Sequence, residues 1–239
     1  MGHRLLLFGR RNIPSPLLSG LAAYWNLNET GGPRADSFGV SNLTDNNTTL
    51  SGTGKVGNAA AFVAASSQYL SVASNSAIQV GDFDFTIAGW VNLTTLPVVG
   101  ACLWSKAATS NIAFVCDFNG ATRFRFYVTA DGATPAIATA NNFGLPSIAT
   151  WYFVLAYHDS VNNVIGIQVN NGTADTTAHS AGVFVGTAAL RIGARGSGGA
   201  QDEYMNGLVD EVGFWKRLLT SDEKAQIYNS GNGTTYPFV

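Results

Sequence analysis

Charge is what this chain has least of. Asp, Glu, Lys and Arg make up 12% of its 239 residues, where soluble domains carry about 25%, so solubility has to come from Gly, Ala, Ser, Thr and Asn. Cysteine is nearly absent, with two residues in the whole chain. A domain of this length buries roughly 70% of the surface its unfolded chain exposes and needs no disulfide to be stable. The net charge of -2 gives no basic field to attract phosphate backbones, which argues against nucleic acid as a partner. No apolar run approaches the ~20 residues of a membrane-spanning helix, so no membrane span is expected. The one N-terminal run, Leu5-Leu6-Leu7-Phe8, is cut off by Arg10 and Arg11 before it reaches the ~7 to 15 residues of a signal-peptide core.

Pro14 and Pro16 bias Ile13 and Ser15 toward extended backbone. Residues 1–20 therefore read as an extended arm, able to dock on another protein through Leu5, Leu6, Leu7, Phe8 and Ile13, or else as a frayed terminus. The remainder, 21–239, reads as one domain. From Gly20 onward the apolar pattern has period two, broken by Gly, Asn, Asp and Ser, as many antiparallel strands require. In "FDFTIAGWVNL", Phe83, Phe85, Ile87, Val91 and Leu93 share one face, while Asp84, Thr86, Trp90 and Asn92 share the other. "RFRFYV" repeats this, with Phe124, Phe126 and Val128 inward and Arg123, Arg125 and Tyr127 outward. "WYFVLAYH" carries apolar groups on both sides, as in a strand covered on two faces. "VNNG" supplies the positive φ of a tight hairpin. "GARGSGGAQ" lacks the Lys-Ser/Thr of a phosphate loop and reads as a flexible loop.

A single helix is predicted after Thr220, which can cap it while Glu223 returns the hydrogen bond. Ala225, Ile227 and Tyr228 would face the sheet, and Gly231 and Gly233 end it. Ten or more strands against one helix predict an all-β, two-sheet antiparallel sandwich.

Taken in order, "GLAAYWNLNETGG", "DSFG", "GKVGNAAAF", "QYLSV", "FDFTIAGWVNL", "TWYFVLAYHDSVNNVIGIQVNNG", "RIGAR" and "GLVDEVGFWKRLLTSDEKAQIYNSGNG" resemble the laminin-G-like, concanavalin A-like jelly-roll modules over residues 21–233. The resemblance implies a jelly-roll sandwich and a module that binds glycans or proteins, with some hydrolases among its relatives. It also implies a structural Ca²⁺ between the final strand and the N-terminal loops, for which Asp210 in "LVDEV" is the matching ligand. Asp36 in "ADSFG" and the carbonyls around Gly57 stand behind it. The alternative for Asp210 is capping backbone amides or pairing with Lys216 or Arg217. Glu211 is expected to face solvent.

Catalysis by a carboxylate pair finds little support. The glutamates are Glu29, Glu203, Glu211 and Glu223, none two or four residues from another, and adjacent Asp210 and Glu211 should point to opposite sides of a strand. His3, His158 and His179 lack metal-ligand spacing. If "ACLWSK" and "IAFVCDF" form a hairpin centred on Thr109, Cys102 opposes Cys116. That register would allow a bridge, whereas a reducing compartment favours two free buried thiols. The sequons at Asn28, Asn42, Asn46, Asn47, Asn92, Asn171 and Asn232 follow from an Asn- and Thr-rich composition.

Glycans need aromatic faces and planar polar groups. Trp104, Arg123, Arg125 and Tyr127 are the candidates, while Trp25, Trp90, Trp151 and Trp215 are expected to pack. The functional expectation is a non-catalytic adhesion module, oligomeric, at a virion surface or otherwise extracellular, anchored to a capsid or appendage by its arm and binding glycan weakly. A secreted or cell-surface lectin and a polysaccharide hydrolase or lyase are the alternatives.

Overall fold

The computed structural model of the chain describes residues 14–97, 100–120, 122–197 and 200–238. Its first half contains β1 (Leu21–Trp25), β2 (Thr44–Asn46), β3 (Leu50–Thr53), β4 (Asn58–Phe62), β5 (Tyr69–Val72), β6 (Phe85–Leu93), β7 (Ala101–Lys106), β8 (Phe114–Asn119) and β9 (Arg123–Thr129). Its second half contains β10 (Pro135–Thr139), β11 (Trp151–Asp159), β12 (Val164–Val169), β13 (Asp175–Ala178), β14 (Leu190–Ile192), β15 (Arg195–Ser197), β16 (Ala200–Asp202) and β17 (Gly207–Trp215), then helix α1 (Ser221–Tyr228).

An eight-stranded sheet runs β13-β12-β11-β6-β17-β4-β3, with β1 also on β17. A seven-stranded sheet runs β10-β9-β8-β7-β14-β5-β2, and β15 and β16 form a separate hairpin. The pairings are antiparallel. Asn170 and Asn171, at φ of 51° and 53°, make the tight turn between β12 and β13, as "VNNG" predicted. "GARGSGGAQ" is not loop throughout, because residues on its two sides pair as the β15–β16 hairpin.

The two sheets bury one core between them. Phe85, Ile87, Val91, Val154, Ile167 and Phe214 meet Leu103, Phe114, Phe124, Phe126, Val128 and Leu190, each side chain contributing about 1.5–3 kcal/mol by leaving water. The alternation in β6 and β9 is the predicted one. A second apolar layer covers the outer face of the eight-stranded sheet, where Leu17, Tyr24, Trp90, Phe153, Trp215, Ile227 and Phe238 pack together. This explains why β11 is apolar on both sides.

Two elements close that layer. Thr220 and Glu223 form the capping box of α1, and Arg217 grips Glu223 at 2.7 Å. Ile227 is buried and Tyr228 stacks on Trp90, but Ala225 is exposed, so the helix turns Glu223 inward where Ala225 was expected. The N-terminal boundary also differs. A 3-10 turn at Pro16–Leu18 buries Leu17, whose carbonyl accepts from Trp215 Nε1 at 2.8 Å, and Arg217 holds the Pro16 and Ser19 carbonyls. Residues 16–20 thus belong to the sandwich. Leu5, Leu6, Leu7, Phe8 and Ile13 lie outside the described residues.

Asp36 organises the loop that follows β1. Its Oδ1 accepts the amides of Tyr24, Phe38 and Gly39, and its Oδ2 accepts that of Ser41. Removing the carboxylate would leave buried amide donors unpaired. Asp36→Ala is expected to lower the unfolding free energy by about 3 kcal/mol, read from a shifted urea midpoint at unchanged denaturant slope.

Candidate functional site

Antiparallel register decides which side chains share the outer face of the seven-stranded sheet. Tyr127, Val115, Ser105, Arg191, Ser71 and Thr44 stand opposite one another in a row from β9 to β2. Beside it lies a second row, Arg125, Asp117 and Cys102. Asp117 is buried and accepts from Arg125 Nε at 2.9 Å and Nη2 at 2.6 Å. Burial raises its pKa above the ordinary carboxylate value, and the Arg125 hydrogen bond and charge oppose that rise. The Arg125 guanidinium also lies 5.8 Å from the Tyr127 ring centre.

The β15–β16 hairpin crosses this face. Ser105 Oγ donates to the Ala194 carbonyl at 3.0 Å, and a Cβ at Gly196 would come within 2.5 Å of the Ala107 carbonyl and of Arg191 Nη1. Only a glycine lets the hairpin backbone come so near β7. Arg195 reaches from the hairpin to the Tyr127 hydroxyl at 3.0 Å and to Glu203 at 3.3 Å. A cavity of about 250 Å³ adjoins Arg195, lined also by Thr109, Ile112, Gly132 and Gly196. The Arg125, Arg195 and Glu203 side chains are partly exposed, at 22%, 25% and 18%, above the buried Asp117 and Tyr127, and such fixed polar groups suit a ligand rich in hydroxyls.

Sequence reasoning finds part of this surface. Arg125 and Tyr127 are on it, and Arg123 lies further along β9, donating to the Thr122 carbonyl. Trp104 is not on it: the ring is sealed in the core at 0% exposure. The cause is a bulge between Cys102 and Trp104 that turns both Leu103 and Trp104 inward. The same slip pairs Cys102 with Asp117 and Trp104 with Cys116, so the two cysteines fall on opposite faces, both free and buried. Asp117, Arg191, Arg195 and Glu203 were missed, because their convergence depends on pairing between distant strands and on a hairpin read as loop.

The cation candidates separate cleanly. Asp36 is filled by backbone amides, which suits no metal. Asp210 Oδ2 accepts the Lys55 and Val56 amides at 2.7 and 2.9 Å, as the amide-capping alternative expected, while Lys216 reaches the Ser76 carbonyl and Arg217 pairs with Glu223. Glu211 is not solvent-facing. A bulge between Asp210 and Gly213 puts Glu211 at φ 52°, buried at 1% exposure, so the opposite-sides rule fails at this position. Asp210 Oδ1 and both Glu211 oxygens are buried; the Tyr24 hydroxyl donates to the Thr234 carbonyl at 3.1 Å, and the Tyr24 and Thr235 hydroxyls also lie against the Glu211 carboxylate. Burial pushes Asp210 up to about 7; Glu211 rises to about 8, through burial and then the neighbouring Asp210 charge. These hard oxygen donors fit a hard cation, although no group of three or more His, Cys, Asp or Glu residues gathers as a metal cluster among the described residues.

Residues 64–223 match the model of the concanavalin A-like lectin/glucanases superfamily, and the chain belongs to that family. Solved structures agree on the fold. The binding domain of Paraclostridial Mosquitocidal Protein 1 is similar at a TM-score of 0.72 and 13% identity, over 90% of this chain and 53% of that one. The botulinum neurotoxin serotype C1 binding domain is similar at 0.65 and 11%, over 90% and 52%. Domain 4 of AbnA, an extracellular arabinanase from Geobacillus stearothermophilus, in complex with arabinotriose, is similar at 0.64 and 14%, over 90% and 98%. The chain thus spans about half the length of the toxin binding domains, at 53% and 52%. No curated protein matches the sequence.

The Asp210–Glu211 pair makes stability depend on pH. Both folded pKa values lie above the roughly 4 expected of an unfolded carboxylate, so the native state holds extra protons between those values and its stability falls as pH rises. Cation-free protein is expected to melt at progressively lower temperature from about pH 5 to about pH 9, with a slope of up to ~1.4 kcal/mol per pH unit for each group. Glu211→Gln is expected to flatten that profile in differential scanning calorimetry.

Proposed function

We propose that the chain is a non-catalytic carbohydrate-binding module that holds a glycan on the outer face of its seven-stranded sheet. The supporting observation is the connected set Asp117, Arg125, Tyr127, Arg195 and Glu203, in which planar donors and acceptors are fixed by one another before a ligand arrives. Preorganised polar groups lose less on binding than mobile ones. The family's name supports sugars as the ligand class. The bound arabinotriose of the similar arabinanase domain gives one concrete sugar to try.

Binding without catalysis rests on the state of the two acids. Asp117 is tied to Arg125 and Glu203 to Arg195. Neither is then free to cycle a proton as glycoside hydrolysis requires. The hydrolase reading keeps one point in its favour, that both acids share a face.

A calcium ion held by Asp210 Oδ1 and Glu211 is part of the same proposal, as a structural brace rather than a contact to sugar. Bound there, it would supply the positive charge that keeps both carboxylates ionised. Display on a virion as an oligomer, docked through residues 1–13, is the finer role we attach to the module. Its support is the apolar, cationic composition of that segment. Many copies on one particle would convert weak single-site binding into useful avidity.

Titration with arabinotriose and a panel of neutral and acidic oligosaccharides, followed by calorimetry, tests the binding site. Arg195→Gln or Tyr127→Phe is expected to weaken the best binder about tenfold, some 1.4 kcal/mol, with unchanged melting temperature. Unaltered affinity in both variants, or release of reducing ends from any panel sugar, would defeat this reading. Millimolar Ca²⁺ at pH 8 is expected to raise the melting temperature of the parent and not of Glu211→Gln.

A further inference from the structure

Arginine is distributed unevenly. The chain has nine, of which three fall within its first eleven residues. Of the six others, Arg123, Arg125, Arg191 and Arg195 stand on the outer face of the seven-stranded sheet, against the carboxylates of Asp117 and Glu203 among the side chains described there. Arg125 and Arg195 are matched by those two acids. Arg34 has Asp45 and Glu29 nearby, and Arg217 has Glu223.

Arg191 differs. It is half-buried on β14, flanked by Tyr69 and Tyr204, whose ring centres are 6.4 Å apart. Ser105 and Ser71 stand opposite it, the titratable groups around it are those two phenols and the Cys102 thiol, and no carboxylate pairs with it among the side chains described. One contact holds it: Nη1 donates to the Ala107 carbonyl at 2.6 Å, while Nε is buried with no partner. A guanidinium has five donors and a permanent charge. Withdrawing that charge from water without a counter-ion is unfavourable, and burial lowers its pKa accordingly. The position is nevertheless held in place from two sides, by the Ala107 carbonyl and by the Gly196 backbone lying against it.

We propose that Arg191 receives the carboxylate of an acidic sugar, with Tyr69 and Tyr204 walling the site, so that the glycan bound by this face is a uronate or a sialoside rather than a neutral polymer. With Nη1 on the Ala107 carbonyl and Nε buried, Nη2 is the nitrogen left to meet a carboxylate through a charge-assisted hydrogen bond, and the aromatic rings offer apolar surface to the sugar ring beside it. This rests on the outer face being the glycan site.

The test compares trigalacturonate with its methyl ester, and 3′-sialyllactose with lactose, by calorimetry in low salt. At least one acid is expected to bind tenfold or more tightly than its neutral counterpart. Arg191→Gln is expected to erase that preference, so that the acid binds no more tightly than its neutral counterpart. Arg191→Lys, which keeps the charge, is expected to retain part of the preference and guards against loss of fold. Equal binding of acid and neutral forms, or a preference that survives Arg191→Gln, overturns the inference and leaves the glycan site standing. Absence of binding by every sugar tested overturns both.

Discussion

The chemistry of β17 depends on one extra residue. The strand has β6 along one edge, while its other edge pairs first with β4 and then with β1. The bulge between Asp210 and Gly213 sits where one partner gives way to the next. An unbroken strand would send Asp210 and Glu211 to opposite faces. With the bulge, Glu211 is drawn in from solvent, its charge no longer screened by water, and its acidity becomes coupled to that of Asp210. Tyr24 of β1 and Trp215 of β17 itself belong to the second apolar layer on the outer surface.

The seven-stranded sheet treats buried charge differently. Asp117 lies as deep as Glu211, yet it carries a two-pronged arginine on its neighbouring strand. Truncating one member of such a buried pair is strongly destabilising. The pair therefore fixes the surface on which Tyr127 and Arg195 stand. One sheet face is a rigid polar platform; the other is sealed by α1, the 3-10 turn and the C-terminal segment.

Much of this architecture is legible in the sequence. Period two in β6 and β9, the Asn-Asn turn and the Thr220–Glu223 capping box are local signals, and each specifies its element without help from the rest of the chain. Side-chain orientation is lost wherever the period slips by one residue. Trp104 looks outward if alternation continues from Cys102, and the bulge reverses it. Glu211 looks solvated for the same reason. The short strands β2, β3, β15 and β16 carry no hydrophobic alternation, because their partners rather than their residues define them. Of the candidate site, Arg125 and Tyr127 are visible as an outward-facing pattern. Asp117, Arg191 and Glu203 join them only through register across non-consecutive strands.

The hairpin laid over β7 also restricts what shape of molecule can approach. Its backbone at Gly196 lies against Ala107 beside β7 and against Arg191 of β14, and Arg195 reaches from it to Tyr127 of β9. A glycan held on this face, as proposed, would have to meet the hairpin as well as the sheet.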